Sequence, residues 1–242
     1  MTKKDYLKEL HKNKKPFIIY KTAKGFDLYT DFSKKIVLTK KNTYNFIDKI
    51  KINKSRNKST DLYIGFFGYE LLNNLIGIKI PKQKSVNFPK GVFYKPKTRI
   101  KLSKKLTYKP IKNNKVNKFF KVNLSKISYE NIFNKFKKRI KSGETYQIKI
   151  CTKYKNRSEI DPIDFFCRLT NINMAPEAFM IKDKDYSIIS CSPENLITKK
   201  NDFISTKPIA GTLKKSINLN KSKALTFFKK NIKETKEHNM IV

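Results

Sequence analysis

Residues 128–154 read SYENIFNKFKKRIKSGETYQIKICTKY, and this stretch changes its hydrophobic period once. Tyr129, Ile132, Phe133, Phe136 and Ile140 recur at helical spacing. Ser128 is the expected N-cap, and Gly143 stands where a C′ glycine ends a helix. Beyond the glycine, Tyr146, Ile148, Ile150, Thr152 and Tyr154 alternate, the period of a half-buried strand. A helix followed directly by an alternating strand points to a mixed α and β fold.

The flanking sequence extends this reading. Asp161-Pro162 has the form of an N-cap followed by an N1 proline and opens a helix through Phe166 and Leu169. Strands are expected at 178–181, 186–191 and 203–206, and a last helix from about Leu219 to the end. Toward the N-terminus, Phe17-Ile18-Ile19-Tyr20, Phe26-Asp27-Leu28-Tyr29 and Ile36-Val37-Leu38 read as short antiparallel strands. Asp61 to Glu70 reads as a buried strand turning into a helix. Residues from about 79 to 121 are punctuated by lysine and proline and read as a connector with one or two strands. Two regions follow, 1–120 with the connector and 121–242.

Composition bounds the function classes. The 242 residues carry 56 Lys+Arg against 19 Asp+Glu, a net charge of +37, yet 38% are hydrophobic. That apolar content belongs to a folded globule and excludes a disordered basic tail. Only five of the basic residues are arginines, and the lysines are spread among abundant Ile and Asn. Lys, Ile and Asn share A/T-rich codons, so a biased genome accounts for the charge as well as a polyanion-binding surface does. Cys151, Cys167 and Cys191 are widely spaced, with no CxxC and two histidines, which excludes a disulfide scaffold and a zinc site. A reducing, cytoplasmic setting is expected. The apolar stretch 63–80 is interrupted by Glu70, Asn73, Asn74 and Lys79, so no membrane span is expected.

Four segments carry candidate chemistry: Gly143-Glu144-Thr145-Tyr146-Gln147, Ser192-Pro193-Glu194, Thr206-Lys207-Pro208-Ile209-Ala210-Gly211-Thr212 and Glu237-His238-Asn239-Met240-Ile241-Val242. Singly, each is a helix stop, a turn, a strand end or a solvated helix charge. Their order and spacing together resemble the chorismate-binding enzymes, most closely the large subunits of anthranilate synthase and aminodeoxychorismate synthase. The resemblance covers roughly residues 128–242, while Ile64 to Glu70 is similar to the glycine- and aromatic-rich strand of that family. It implies two stacked antiparallel sheets with helices outside, here an incomplete copy of the fold. The final helix has no cap or stop, so the chain reads as a fragment and is expected to be inactive alone.

The resemblance also implies roles. Chorismate is a dianionic cyclohexadiene whose ring hydroxyl leaves as a nucleophile enters. Glu194 matches the acid that protonates that hydroxyl. Glu237 matches one carboxylate ligand of the Mg²⁺ the family uses, the second being expected beyond Val242. Ala210, Gly211 and Thr212 match a substrate-binding segment. Gln147 stands where water-using members carry a lysine base, so ammonia, delivered by a glutamine amidotransferase subunit, is the expected nucleophile. At Ala210 many aminodeoxychorismate synthases carry a nucleophilic lysine, so alanine leans toward anthranilate as product. The segment Asn173 to Phe179 departs from the Asn-Pro-Ser-Pro-Tyr pattern of tryptophan-regulated enzymes, as does the lack of Leu-Leu-Glu-Ser, and leans toward aminodeoxychorismate. The product stays open between the two. The expected partners are chorismate and the amidotransferase, with no nucleic acid and no membrane. The rival readings are a water-using isochorismate or salicylate synthase, a basic nucleic-acid-binding module, and an inactive truncated product.

Overall fold

In a computed structural model of the chain, the described residues are 3–52, 62–71, 75–77, 88–110, 114–200, 202–214 and 216–241. They form two compact units, residues 1–107 with 166–242, and residues 108–165. The class is α+β, with antiparallel sheets, as the sequence led us to expect.

The first unit is built on a six-stranded antiparallel sheet. Strands β1 (Phe17–Thr22) and β2 (Gly25–Val37) form a hairpin behind helix α1 (Lys3–Lys12) in the chain. Helix α2 (Thr43–Ile52), β3 (Ile64–Phe67), β4 (Gly91–Leu102), β7 (Glu177–Lys182) and β8 (Ser187–Ser192) follow. Strand order is β3-β4-β2-β1-β7-β8. Because β1 pairs with β7, Ile18 lies opposite Ile181 and Tyr20 opposite Phe179. The units therefore do not follow a boundary at residue 120: backbone pairing ties the first strand of the chain to one 160 residues later.

Alternation explains why these strands bury both faces. Ile18, Tyr29, Val92, Tyr94 and Ile181 cluster on one face. Phe17, Ile19, Leu28 and Met180, at the alternate positions, are also buried, and the Phe26 and Phe166 rings meet edge to face at 5.9 Å. Another cluster joins Leu38, Phe46, Leu71 and Phe93. Each fully buried side chain of this size contributes roughly 1.5–3 kcal/mol before the entropy of ordering is counted.

Two departures from the sequence reading fall on a pair of neighbouring strands. The runs Phe26–Tyr29 and Ile36–Val37 belong to one strand, bent by a bulge between Phe32 and Lys34, with Asp31 at φ 51°. The stretch read as a connector holds β4, a twelve-residue strand paired on both sides. Pro96 within it has no N–H to donate. It faces Phe32 at the bulge, where the ladder is interrupted, and lies past the end of β3. Strand β3 is an edge strand, half-buried to exposed rather than buried, and ends in a 3₁₀ turn at Tyr69–Leu71; Asp61 lies outside the described residues. Gly65 in β3 is there for close approach, since a Cβ would stand 1.9 Å from the Val92 carbonyl oxygen.

The sheet also encloses charge. Asp183, 7% exposed, accepts from Lys35 Nζ and the Tyr94 hydroxyl, both at 2.5 Å. Burial works against its charge, but these bonds and the Lys184 N–H outweigh it and hold the carboxyl below its usual value. Burial, then the bond to Asp183, drive the Tyr94 phenol far up. Asp27 is likewise buried and paired to Arg99 at 2.7 Å. Tyr20 donates to Glu177 at 2.7 Å; burial, then that bond, push Tyr20 up to about 12.

The second unit holds β5 (Lys121–Val122), α3 (Lys126–Lys141) and β6 (Tyr154–Lys155), with β5 and β6 paired. Ser125, not Ser128, caps α3: its hydroxyl accepts from the Ser128 N–H at 3.1 Å. The cap falls one turn early because Lys126 and Ile127 are already helical. Gly143, at φ 79°, follows the helix as expected. The alternating stretch after it is not a strand. Only Tyr154–Lys155 pair, Gln147 lies in irregular backbone, and Tyr146 is 75% exposed. Alternation needs a partner strand to become a ladder; Asn123 bonds Lys153 beside the β5–β6 pair, but no strand among the described residues forms a ladder with 146–152. Helix α4 (Pro162–Ile172) begins as expected, with Asp161 Oδ1 accepting from the Ile163 and Asp164 N–H groups.

Candidate active site

The last third of the chain belongs to the first unit. It contains the hairpin of β9 (Thr198–Lys200) and β10 (Phe203–Ser205), then α5 (Lys221–Lys230) and α6 (Ile232–Ile241). The single terminal helix expected from Leu219 is thus two helices. Asn231 makes the break, closing α5 through its own N–H and opening α6 by accepting from Glu234 N–H at 3.2 Å.

Glu194 sits in the turn after β8. The Ser192 hydroxyl shapes that turn, accepting from the Glu194 N–H at 3.3 Å and donating to the Glu194 carbonyl at 2.9 Å. The side chain is exposed, and its Oε1 accepts the Ile209 N–H at 3.1 Å. One turn-borne carboxylate is thereby tied to the Pro208–Thr212 segment. Thr206 Oγ1 donates to the Leu196 carbonyl at 2.8 Å and holds the approach to that segment.

The same segment meets α6 on its other side. Ala210 lines a cavity of about 430 Å³ with Leu225, Phe228, Glu234 and His238. Gly211, at φ 76°, packs directly on the Glu234 carboxylate. Glu234 is 18% exposed; Lys233 Nζ lies 3.8 Å from its Oε1, while its buried Oε2 has no hydrogen-bond partner among the described residues. Thr212 is exposed. Glu237 is three residues further along α6, hence on the same helix face as Glu234, and half-buried, but it is not in the cavity wall.

Of the expected site residues, Glu194, Ala210 and Gly211 are thus joined through one backbone segment. Glu237 lies on the helix against that segment, and Gln147 belongs to the other unit, exposed. The sequence reading missed Glu234. The available signal was its spacing: Glu234 and Glu237 stand three apart just after a capping asparagine, which puts two carboxylates on one face.

The donor set can be tested against a magnesium ion. Among the described residues no group of three or more His, Cys, Asp or Glu converges. Mg²⁺ asks for less, one or two carboxylates completed by water and substrate oxygens. Glu234 and Glu237 on one face, with an orphaned carboxylate oxygen, fit that requirement.

Comparison with known proteins decides the family. The model of the chorismate binding enzyme family matches residues 6–242. The chain belongs to the chorismate-binding enzymes. It is 29% identical over 119 residues to anthranilate synthase component 1 of Haloferax volcanii, covering 49% of this chain and 23% of that protein. Aminodeoxychorismate synthase component 1 of Bacillus subtilis is 31% identical over 109 residues, 45% of this chain and 23% of its own. An anthranilate synthase component I-like protein of Synechocystis is 25% identical over 206 residues, 74% and 42% of the two chains. This chorismate-binding chain therefore spans between about a quarter and two fifths of those relatives. Among its described residues no helix is long and apolar enough to cross a membrane.

Proposed function

We propose that this chain is the chorismate-binding component of a glutamine-dependent, chorismate-aminating synthase. The observation that carries the reading is the bond from Ile209 N–H to Glu194, which joins the S-P-E turn to the P-I-A-G-T segment beside the Ala210–Glu234 cavity. In the reaction a C–N bond forms between ammonia and the ring, the ring C–O bond breaks, and the hydroxyl departs as water. Hydroxide leaves poorly, so Glu194 as a carboxylic acid hands its proton to the departing oxygen. The Ile209 N–H orients the Glu194 side chain for that transfer.

Glu237 and Glu234 are the residues that would hold Mg²⁺. The ion supplies neutralisation of the dianionic substrate and orientation of its ring. Ala210 presents a methyl group in the cavity wall and so offers no nucleophile of its own, which favours direct attack by ammonia. Gln147 cannot deprotonate water, which speaks for ammonia over a water-using reaction. An amidotransferase subunit would provide that ammonia, in keeping with relatives named as component 1 of their synthases.

Anthranilate and aminodeoxychorismate are both compatible with this chemistry. The test is product analysis by mass after incubating the synthase that contains this chain with chorismate, Mg²⁺ and ammonium. An aminated product supports the proposal and names the branch. Isochorismate, or untouched chorismate, overturns it.

A further inference from the structure

We propose that Gly211 is a positioning residue for the Glu234 carboxylate, beyond any contact its backbone makes with substrate. An ideal Cβ on Gly211 would stand 2.1 Å from Glu234 Oε2, 2.9 Å from its Cδ and 3.3 Å from its Cγ. The three nearest atoms all belong to Glu234, so a side chain at 211 would meet this residue first. Its Oε2 is sealed from solvent and accepts no hydrogen bond, while Oε1 is left near Lys233. A buried carboxylate oxygen held without a donor carries a desolvation penalty. The carboxylate is kept there by the surrounding packing, and the missing side chain at 211 is what makes the position available. The consequence reaches across two elements: residue 211 sets where a carboxylate of α6 stands beside the cavity shared with Ala210 and His238. This rests on the preceding reading only for its use in the reaction; the positioning itself is a property of the chain.

Two effects of a substitution at 211 must be separated. Gly211 is at φ 76°, so alanine there is strained whatever its neighbours do. The contact with Glu234 is additional, and a four-protein cycle isolates it. Wild type, Gly211→Ala, Glu234→Asp and the double variant are compared by denaturant unfolding. Aspartate is one methylene shorter, so its carboxylate is withdrawn from the new methyl. The backbone strain is common to both arms and cancels. We expect Gly211→Ala to raise the unfolding constant about tenfold more beside Glu234 than beside Asp at 234, within the usual range for residues in contact.

A purely structural contact would end there, so the second readout is the carboxylate itself. The chain has nine glutamates, few enough for side-chain carboxyl carbons to be resolved in a labelled sample, with Glu234→Gln identifying the resonance. The Glu234 signal is expected to lie apart from those of exposed glutamates and to move to their position in Gly211→Ala. Equal losses in the two backgrounds, or a Glu234 resonance that does not move, overturn the proposal. If Gly211→Ala does not fold, Gly211→Ala with Glu234→Ala decides. Recovery of the fold supports the positioning role, and persistent unfolding refutes it.

Discussion

Ile209 and Glu194, fifteen residues apart, are joined by a hydrogen bond of 3.1 Å from a backbone N–H to a carboxylate oxygen. The donor is main chain, so among substitutions at 209 only proline, which has no N–H, removes it. The acceptor is the group proposed to deliver a proton, and the bond sets its direction before substrate arrives. Glu194→Gln keeps an acceptor oxygen for Ile209 and loses the acidic proton. In the synthase it should lower turnover by about a hundred- to ten-thousand-fold, with an unchanged melting temperature. A loss of less than tenfold, measured by steady-state kinetics, would return Glu194 to a turn residue.

With Glu237 as the proposed Mg²⁺ ligand, Glu237→Gln should raise the Mg²⁺ concentration for half-maximal activity by about ten- to a hundredfold, because that oxygen would lose its negative charge. A magnesium titration of the synthase reads this directly. An unchanged requirement would place Glu237 among the solvated charges of α6.

Gln147→Lys puts an amine at the position where the resemblance places the lysine base of water-using members. Less aminated product and a detectable trace of hydroxylated, isochorismate-like product are expected, read by single-turnover product analysis. Wild-type amination without any hydroxylated product would remove Gln147 from the case for ammonia.

The Asp183 network makes stability depend on pH in a defined direction. Its folded carboxyl lies below the unfolded value, so the stabilisation is complete above the unfolded carboxylate pKa of about 4 and fades as pH falls through the lower folded value. Asp183→Asn should cost about 1–3 kcal/mol at neutral pH, discounted because Lys35 is 44% exposed. Thermal melts of both proteins across acid pH should converge as wild-type Asp183 becomes protonated. A constant difference at every pH would show that shape, and not charge, holds this site.

How much was legible follows from the range of the forces involved. Capping and short-period patterning act within a few residues, and there the reading held: Asp161-Pro162 opens α4, Gly143 follows α3, and β7, β8 and β10 fall within a residue or two of their expected places. The four motifs were visible for the same reason, and the family followed from them.

Tertiary structure decided what depends on partners distant in the chain. Alternation at 146–154 was as regular as in any true strand, yet 146–152 found no ladder, whereas the lysine- and proline-rich stretch near Pro96 became the strand between β3 and β2. A strand exists only when another strand satisfies its N–H and C=O groups, and that partner cannot be read locally. The spacing of Glu234 and Glu237 was visible locally, but the burial of Glu234 was not. Its buried carboxylate oxygen lies against Gly211, twenty-three residues earlier in the chain, in the space a side chain there would need.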